Sequence, residues 1–257
     1  MSPASRVFGL RLDAILKWAS TADLENAAGT FLGPPSGCVL ARAHCIVERM
    51  PLEAPLLQGR HVRLEPLELR HAEGLAAASA VDPSLYQWSP IPRGKLEAAQ
   101  YIETALEWYA AGTAVSFATL RIGDGVVIGS TRFFNLGRWA WPEGHRLHGR
   151  STPDACEIGY TWLTRSAIRT AANTEAKLLM LTHAFETWEV LRVCLHTDVR
   201  NQRSRAAIER IGGQFEGILR AHRMAADFIP RDSARYSIIA AEWPTVKQRL
   251  VQMAGEL

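Results

Sequence analysis

Glu157, Asn201 and Ser204 are the polar side chains in this 257-residue chain whose surroundings most invite chemistry. Glu157 stands in the strand-like run Cys156-Glu157-Ile158-Gly159-Tyr160-Thr161-Trp162-Leu163, and a carboxylate is unusual beside such apolar neighbours. Strand alternation places Glu157 and Gly159 on one face and Ile158 and Tyr160 on the other. Its plain structural account is an ion pair with an arginine such as Arg132 on the preceding strand. Asn201 and Ser204 stand as N-cap and N3 of a helix from Gln202 to Ile211, and capping is their plain account.

The strand that carries Glu157 runs into a loop, Thr164 to Asn173, which feeds a second helix at Thr174-Glu175-Ala176. A helix N-terminus has unpaired N–H groups and the positive end of its dipole, so it receives anions. Asn173 or Thr174 is placed to cap it, and Arg165 and Arg169 add positive charge. Strand, loop and helix start together suit a phosphate.

The elements that must hold these groups can be read from period and punctuation. His61 to Leu67 alternates as a strand, and Arg70 to Ala80 reads as a helix. Pro83, Pro90 and Pro92 mark a loop. A helix follows from Lys95 to Ala110, with Leu96, Ala99, Ile102, Leu106 and Tyr109 as its apolar stripe. Val115 to Ile122 and Val126 to Leu136 pair through a hairpin turn at Gly123-Asp124-Gly125. Gly137 to Asp154 is irregular, and Ala155 to Leu163 returns as a strand. The phosphate-facing helix runs to Trp188 with Leu178, Leu181, Phe185 and Trp188 on one side. Arg192 to Asp198 is a strand, Gly212-Gly213 closes the Asn201 helix, and Phe215 to Arg220 and Arg235 to Ala240 are strands. Trp243-Pro244 opens a last short helix. His183 reads as a surface residue, and Trp108, Trp188 and Trp243 as core. The order implies a mixed α/β layer architecture.

In this order and spacing the segments resemble the GNAT superfamily of N-acetyltransferases, in its RimJ/RimL-like branch. The matching pieces are Gly59-Arg60-His61-Val62-Arg63-Leu64, Ile128-Gly129-Ser130-Thr131, Glu157-Ile158-Gly159-Tyr160, Thr174-Glu175-Ala176, Asn201-Gln202-Arg203-Ser204 with Ile208-Glu209-Arg210-Ile211-Gly212, then Arg231-Asp232 and Tyr236-Ser237-Ile238. They span about Gly59 to Leu250. The resemblance implies a mostly antiparallel central sheet, splayed at two parallel strands and flanked by helices. It also implies an acetyl group moved from acetyl-CoA, as co-substrate, directly to an amine on a protein N-terminus or a small molecule.

The family's arrangement assigns roles residue by residue. The strand residues Tyr160, Trp162 and Leu163 would hold the pantetheine arm, along with Asn201 near the thiol. Ile168-Arg169-Thr170-Ala171-Ala172-Asn173 and Thr174 would hold the pyrophosphate. The family's loop normally carries glycine here and this one carries none. Alanine resists positive φ, so any position needing it would weaken cofactor binding. Glu157 would lie near the acceptor and take its proton through water, a role compatible with the ion pair. Ser204 would donate a proton to the leaving thiolate, because Ala206 and Ala207 stand where many relatives carry a tyrosine donor. The stretch from Gly137 to Asp154, with Trp139 and Trp141, would face the acceptor, and Trp88, Tyr86 and the Pro90-Ile91-Pro92 loop would form the opposite wall. The basic residues His145, Arg146, His148 and Arg150 tilt the acceptor toward one bearing a carboxylate or phosphate.

The remaining features bound the function. A net charge of +3 with no basic run argues against nucleic acid. No segment has the length of apolar residues a membrane span needs, and the first 30 residues carry no secretory pattern. A soluble cytoplasmic protein is expected. There is no GxxxxGK[ST] motif and no cluster of metal ligands. Cys38, Cys45, Cys156 and Cys194 form no CxxC pair and read as buried reduced thiols. Residues 1–49, with a helical stretch from Leu10 to Trp18 and a Gly33-Pro34-Pro35 break, form an extension before the domain at 50–257, and Met50 is an alternative start. A homodimer is compatible with all of this. The glycine-free loop leaves a second function open, an acyl-CoA-binding sensor or partner-binding module without catalysis.

Overall fold

The computed structural model describes residues 52–225 and 229–255. The expected extension at 1–49, its helical stretch, Met50, Cys38 and Cys45 lie outside them.

Apart from single 3-10 and π turns, the elements in chain order are β1 (Leu57–Gln58), β2 (Val62–Pro66), α1 (Ala72–Ala80), α2 (Gly94–Ala110), β3 (Ala114–Arg121), β4 (Val127–Gly137), β5 (Ala155–Leu163), α3 (Ala171–Thr182), β6 (Arg192–Asp198), α4 (Gln202–Arg210), β7 (Gln214–Met224), β8 (Pro230–Ile239) and α5 (Trp243–Gly255). Among the described residues the strands make one eight-stranded sheet in the order β1-β2-β3-β4-β5-β6-β8-β7. Every neighbouring pair is antiparallel except β5 and β6, which are parallel. This is the mixed sheet the sequence implied.

Alternation along the strands divides the core between the two faces. Val115, Phe117, Phe133 and Ile158 pack with residues of α3, α4 and α5. Ala118, Leu120, Phe134 and Trp162 pack with α1 and α2. Period two supplies both faces because helices cover the sheet on each side. Trp108, Trp188 and Trp243 are buried, as expected. Among the described residues no helix is long and apolar enough to cross a membrane. Cys156 is buried, Cys194 half-buried, and both are free.

The structure corrects the stripe of α2. Leu96 is 69% exposed and Leu106 37%. The buried face is Ala98, Tyr101, Ile102, Ala105 and Trp108. The cause is Arg132 of β4, which is fully buried, with its guanidinium carbon 4.9 Å from the ring centres of both Tyr101 and Trp108. Large aromatic area and a cation–π contact rotate the helix away from its aliphatic stripe.

The helix after the loop is corrected at both ends. It starts at Ala171, three residues earlier than expected, because Thr170 caps it: Thr170 Oγ1 accepts the Ala172 N–H at 3.2 Å. At Thr182 it gives way to a π turn, His183–Thr187. His183 is half-buried, against the expectation of a surface residue. Its ring lies 4.8 Å from that of Trp188 and 6.2 Å from that of Phe133, and burial lowers its pKa.

Glu175 anchors this helix to the far side of the sheet. Its buried carboxylate accepts the backbone N–H groups of Arg60, His61 and Val62, each at 2.7 Å. A Cβ at Gly59 would stand 2.3 Å from Glu175 Cδ, so Gly59 is the space the carboxylate occupies.

Candidate active site

β5 and β6 pair only through Ala155–Arg192, Cys156–Val193 and Glu157–Cys194. Beyond Glu157 the two strands carry no further rungs. β5 bulges there: Arg132 faces Gly159 while Ser130 faces Trp162, and Tyr160 takes φ 49°. The bulge breaks the alternation expected from sequence. Ile158 packs in the α3 side of the core and Tyr160 against the α1–α2 side. An extra residue in one strand turns the next side chain to the other face.

A cavity of about 690 Å³ opens at the divergence. Tyr160, Trp162 and Leu163 line it from β5, and Ile168, Arg169, Thr170 and Asn173 from the loop and helix start. Glu157, Asn201, Ser204 and Trp88 line it as well. Tyr86 closes the wall by donating its hydroxyl to the Leu163 carbonyl at 3.0 Å. Ala171, Ala172 and Thr174 are packed behind the lining, where Thr174 Oγ1 accepts from Arg210 at 3.0 Å.

Trp139 and Trp141 lie outside this lining. Asp154 folds their segment onto itself, accepting the Trp139 N–H at 2.6 Å and the Trp141 indole N–H at 2.8 Å. Trp141 then stacks on His145, with ring centres 4.3 Å apart.

The loop reaches its shape without glycine. Positive φ falls on Arg169, at 61°, and the alanines behind it are helical. Thr170 secures the turn by donating its hydroxyl to the Ala167 carbonyl at 2.8 Å. Asn201 caps α4, its Oδ1 accepting the Ser204 N–H at 3.1 Å.

Glu157 is 4% exposed and does not pair with Arg132. Its Oε1 lies 2.8 Å from His196 Nδ1, and its Oε2 accepts from Asn135 at 2.9 Å and Arg223 at 3.4 Å. Burial acts to raise the carboxyl pKa. The Arg223 charge, the His196 contact and the Asn135 hydrogen bond outweigh it, and the pKa falls to about 2. Arg132 instead has Tyr160 as a third ring, 4.3 Å from its guanidinium carbon.

Lys177 also lines the cavity, although only 4% of it is exposed. Its Nζ donates to Thr161 Oγ1 at 2.6 Å and Thr131 Oγ1 at 3.1 Å. Burial lowers its pKa to about 7.

A sequence model of the acetyltransferase (GNAT) domain matches residues 61–214. The chain belongs to the GNAT acetyltransferase family. The match falls inside the stretch expected to form the domain. A Bacillus subtilis (strain 168) protein named "Putative ribosomal N-acetyltransferase YdaF" is 28% identical over 188 residues, which cover 71% of this chain and 93% of that protein. The crystal structure of a GCN5-related N-acetyltransferase from Brucella melitensis matches with TM-score 0.66 and 27% identity, covering 80% of this chain and 89% of the other. Mycobacterium smegmatis RimJ, in complex with CoA-disulfide, shares the fold at 22% identity and TM-score 0.62, covering 75% and 88% of the two chains.

Within this GNAT frame the cavity holds polar groups that the sequence reading passed over, among them Lys177, His196, Arg223 and Arg231. Lys177 carried a signal. It stands one helical turn from Asn173 and three residues before Met180, in a helix buried on nearly every side. His196 and Arg223 carried none, and Arg231 entered only within the matching piece Arg231-Asp232. His196 meets Glu157 because β6 pairs with β5, and Arg223 because β7 is joined to β6 through β8.

Proposed function

We propose that the protein moves an acetyl group from acetyl-CoA directly to an amine of a protein N-terminus or a small molecule. The observation that carries this is the parting of β5 from β6 immediately after Glu157. It opens one cavity onto the phosphate-type loop and onto Glu157, Asn201 and Ser204. A thioester carrying phosphates fits these residues. The unpaired edge of β5 offers backbone groups to an amide-bearing arm, as an added strand would. The start of α3 offers N–H groups, with Arg169 and Arg210 adding charge at the cavity wall. The CoA-disulfide held by the M. smegmatis protein of the same fold agrees with this.

The amine must lose protons and the thiolate must gain one. Glu157, ionised throughout the working pH range, attracts an ammonium into the cavity, and a basic group of the wall takes a proton from it directly or through water. Ser204, on the cavity wall, donates to the thiolate, whose thiol form has a pKa of about 8.5. Asn201 fixes Ser204 by capping the same helix turn. Holding both reactants in one closed space supplies much of the rate. With the segment from Gly137 to Asp154 outside the lining, Arg223 and Arg231 take over as the groups that favour an acceptor bearing a carboxylate or phosphate. The reduced thiols Cys156 and Cys194 suit a cytoplasmic setting.

Nothing in the loop favours the binding-only alternative, since the one positive φ falls on Arg169 and no alanine is strained. The deciding experiment is thiol release from acetyl-CoA across a panel of amines and N-terminal peptides, alongside calorimetry. Turnover with at least one amine supports the proposal. Absence of both acetyl-CoA binding and turnover defeats it.

A further inference from the structure

An ammonium that becomes an amide loses two protons. One leaves on the thiol of CoA, and the other must find a resting place and then solvent. Glu157 cannot be that place, because its carboxyl is held near 2. What it can do is orient a neighbour. His196 Nδ1 lies 2.8 Å from Glu157 Oε1, and 7% of the His196 side chain is exposed. His196 lines the cavity, and neither of its ring nitrogens makes a hydrogen bond among the described residues, although Nδ1 is in close contact with Glu157. A buried ring nitrogen in that condition calls for a function. With Nδ1 beside the carboxylate, Nε2 is the ring nitrogen left for an incoming amine.

We propose that His196, set against Glu157 through Nδ1, is the proton acceptor for the incoming amine. This deepens the acetyl-transfer reading and rests on it. The ammonium first gives one proton to water in the cavity; as the neutral amine then bonds to the acetyl carbon, a second N–H proton passes to His196 Nε2, directly or through one water. The carbon–sulfur bond breaks, and the thiolate takes its proton from Ser204, which is re-protonated from solvent. Glu157 stays ionised and stabilises the imidazolium, the division of labour a carboxylate and a histidine reach in catalytic triads. The charged and titratable groups around the ring are Glu157, Arg223, Arg231 and His222, with Arg235 opposite His196 in the β6–β8 register.

His222 gives the proton its way out. Its ring centre is 5.1 Å from that of His196, and its Nδ1 also lacks a partner among the described residues. Burial first, then the Arg223 charge, lower its pKa to about 4, so it passes a proton on without keeping it. It is half-buried on β7, next to solvent.

The test separates the two ring nitrogens. The amide nitrogen of His196→Asn replaces Nδ1 and keeps the contact with Glu157, whereas Nε2 is lost. The expected result is kcat about 100-fold lower, acetyl-CoA affinity by calorimetry within threefold, and loss of the acidic limb of the kcat/KM profile. In His196→Ala, free imidazole is expected to restore activity at least tenfold. His196→Asn with kcat within threefold of the parent, or with the acidic limb in place, overturns the proposal, and so does a failure of imidazole to restore activity. Wild-type protein that turns over no amine defeats the acetyl-transfer reading itself, a separate outcome from wild-type turnover with an unaffected His196→Asn.

Discussion

Glu157 Oε1 and His196 Nδ1 are 2.8 Å apart, across the point where β5 and β6 stop pairing. The last shared rung, Glu157–Cys194, brings the carboxylate next to β6, and His196 lies two residues further along the parting strand. The same contact with Arg223 depresses the Glu157 pKa, so its stabilising effect has a defined pH window. It is fully present above the ordinary glutamate value near 4.3 and is lost as pH falls through about 2. Glu157→Gln is expected to lower stability at pH 7 by roughly 3 kcal/mol, because Arg223 loses a buried counter-charge. The gap between the two proteins should close toward pH 2 in urea unfolding. Turnover should fall about 100-fold or more with acetyl-CoA affinity little changed. A stability gap that is constant with pH would contradict the assignment.

Ser204→Ala is expected to reduce kcat about tenfold, at the low end for loss of a proton donor, and to leave acetyl-CoA affinity unaltered. Asn201→Ala should act through the fold as well, costing about 1 kcal/mol as the cap of α4 is removed. Steady-state kinetics and thermal melting separate the two effects.

Lys177 gives a pH dependence of the same sign as Glu157, in a window several units higher. Its folded pKa is depressed to about 7 by burial. Between pH 7 and the ordinary lysine value near 10.4 the unfolded chain keeps a proton that the folded chain has released. Stability therefore rises with pH across that window. Lys177→Met should exceed the parent in stability at pH 7, and that advantage should shrink by about 2–3 kcal/mol between pH 7 and pH 9. Denaturant titrations at several pH values measure it. A gap that does not shrink would mean that the amine keeps its proton when buried.

Glu175→Gln replaces one of two acceptor oxygens by a donor, facing three backbone N–H groups. The expected cost is about 2–3 kcal/mol, since hydrogen bonds to a charged group are lost. Gly59→Ala drives a methyl group into the same carboxylate and should cost a similar amount. In both variants the fall in stability should exceed any fall in acetyl-CoA affinity.

Arg169 holds φ 61° with a full side chain. Arg169→Gly should raise stability by about 1 kcal/mol through relief of that conformation. It should also weaken acetyl-CoA binding and reduce its salt dependence, since a cavity-lining charge is lost. Affinity equal to the parent at low salt would show that the Arg169 charge faces away from the phosphates.

Period and punctuation in the chain were enough for the strands, the helices flanking them and the loop between Leu163 and the helix after it. These are local properties: alternation gives a strand wherever both faces find a helix, and a threonine or asparagine starts a helix wherever its side chain meets a free N–H. The Asn201 cap was legible for that reason. The helix cap at Thr170 was missed because Thr170, Asn173 and Thr174 can each cap, and only the backbone turn at Arg169 selects among them.

What the chain alone determined is the list of parts: Glu157 in an apolar strand, Asn201 and Ser204 at a helix start, and a loop suited to phosphate. The tertiary structure decided their partners. Arg132 went to a cage of three aromatic rings, and Glu157 went to His196 and Arg223. Trp139 and Trp141 were turned onto Asp154 and away from the cavity. Each of these outcomes depends on strand order and on the bulge at Tyr160, which join residues distant in sequence. A period-two pattern states which face a side chain is on, but it carries no information about which strand becomes its neighbour.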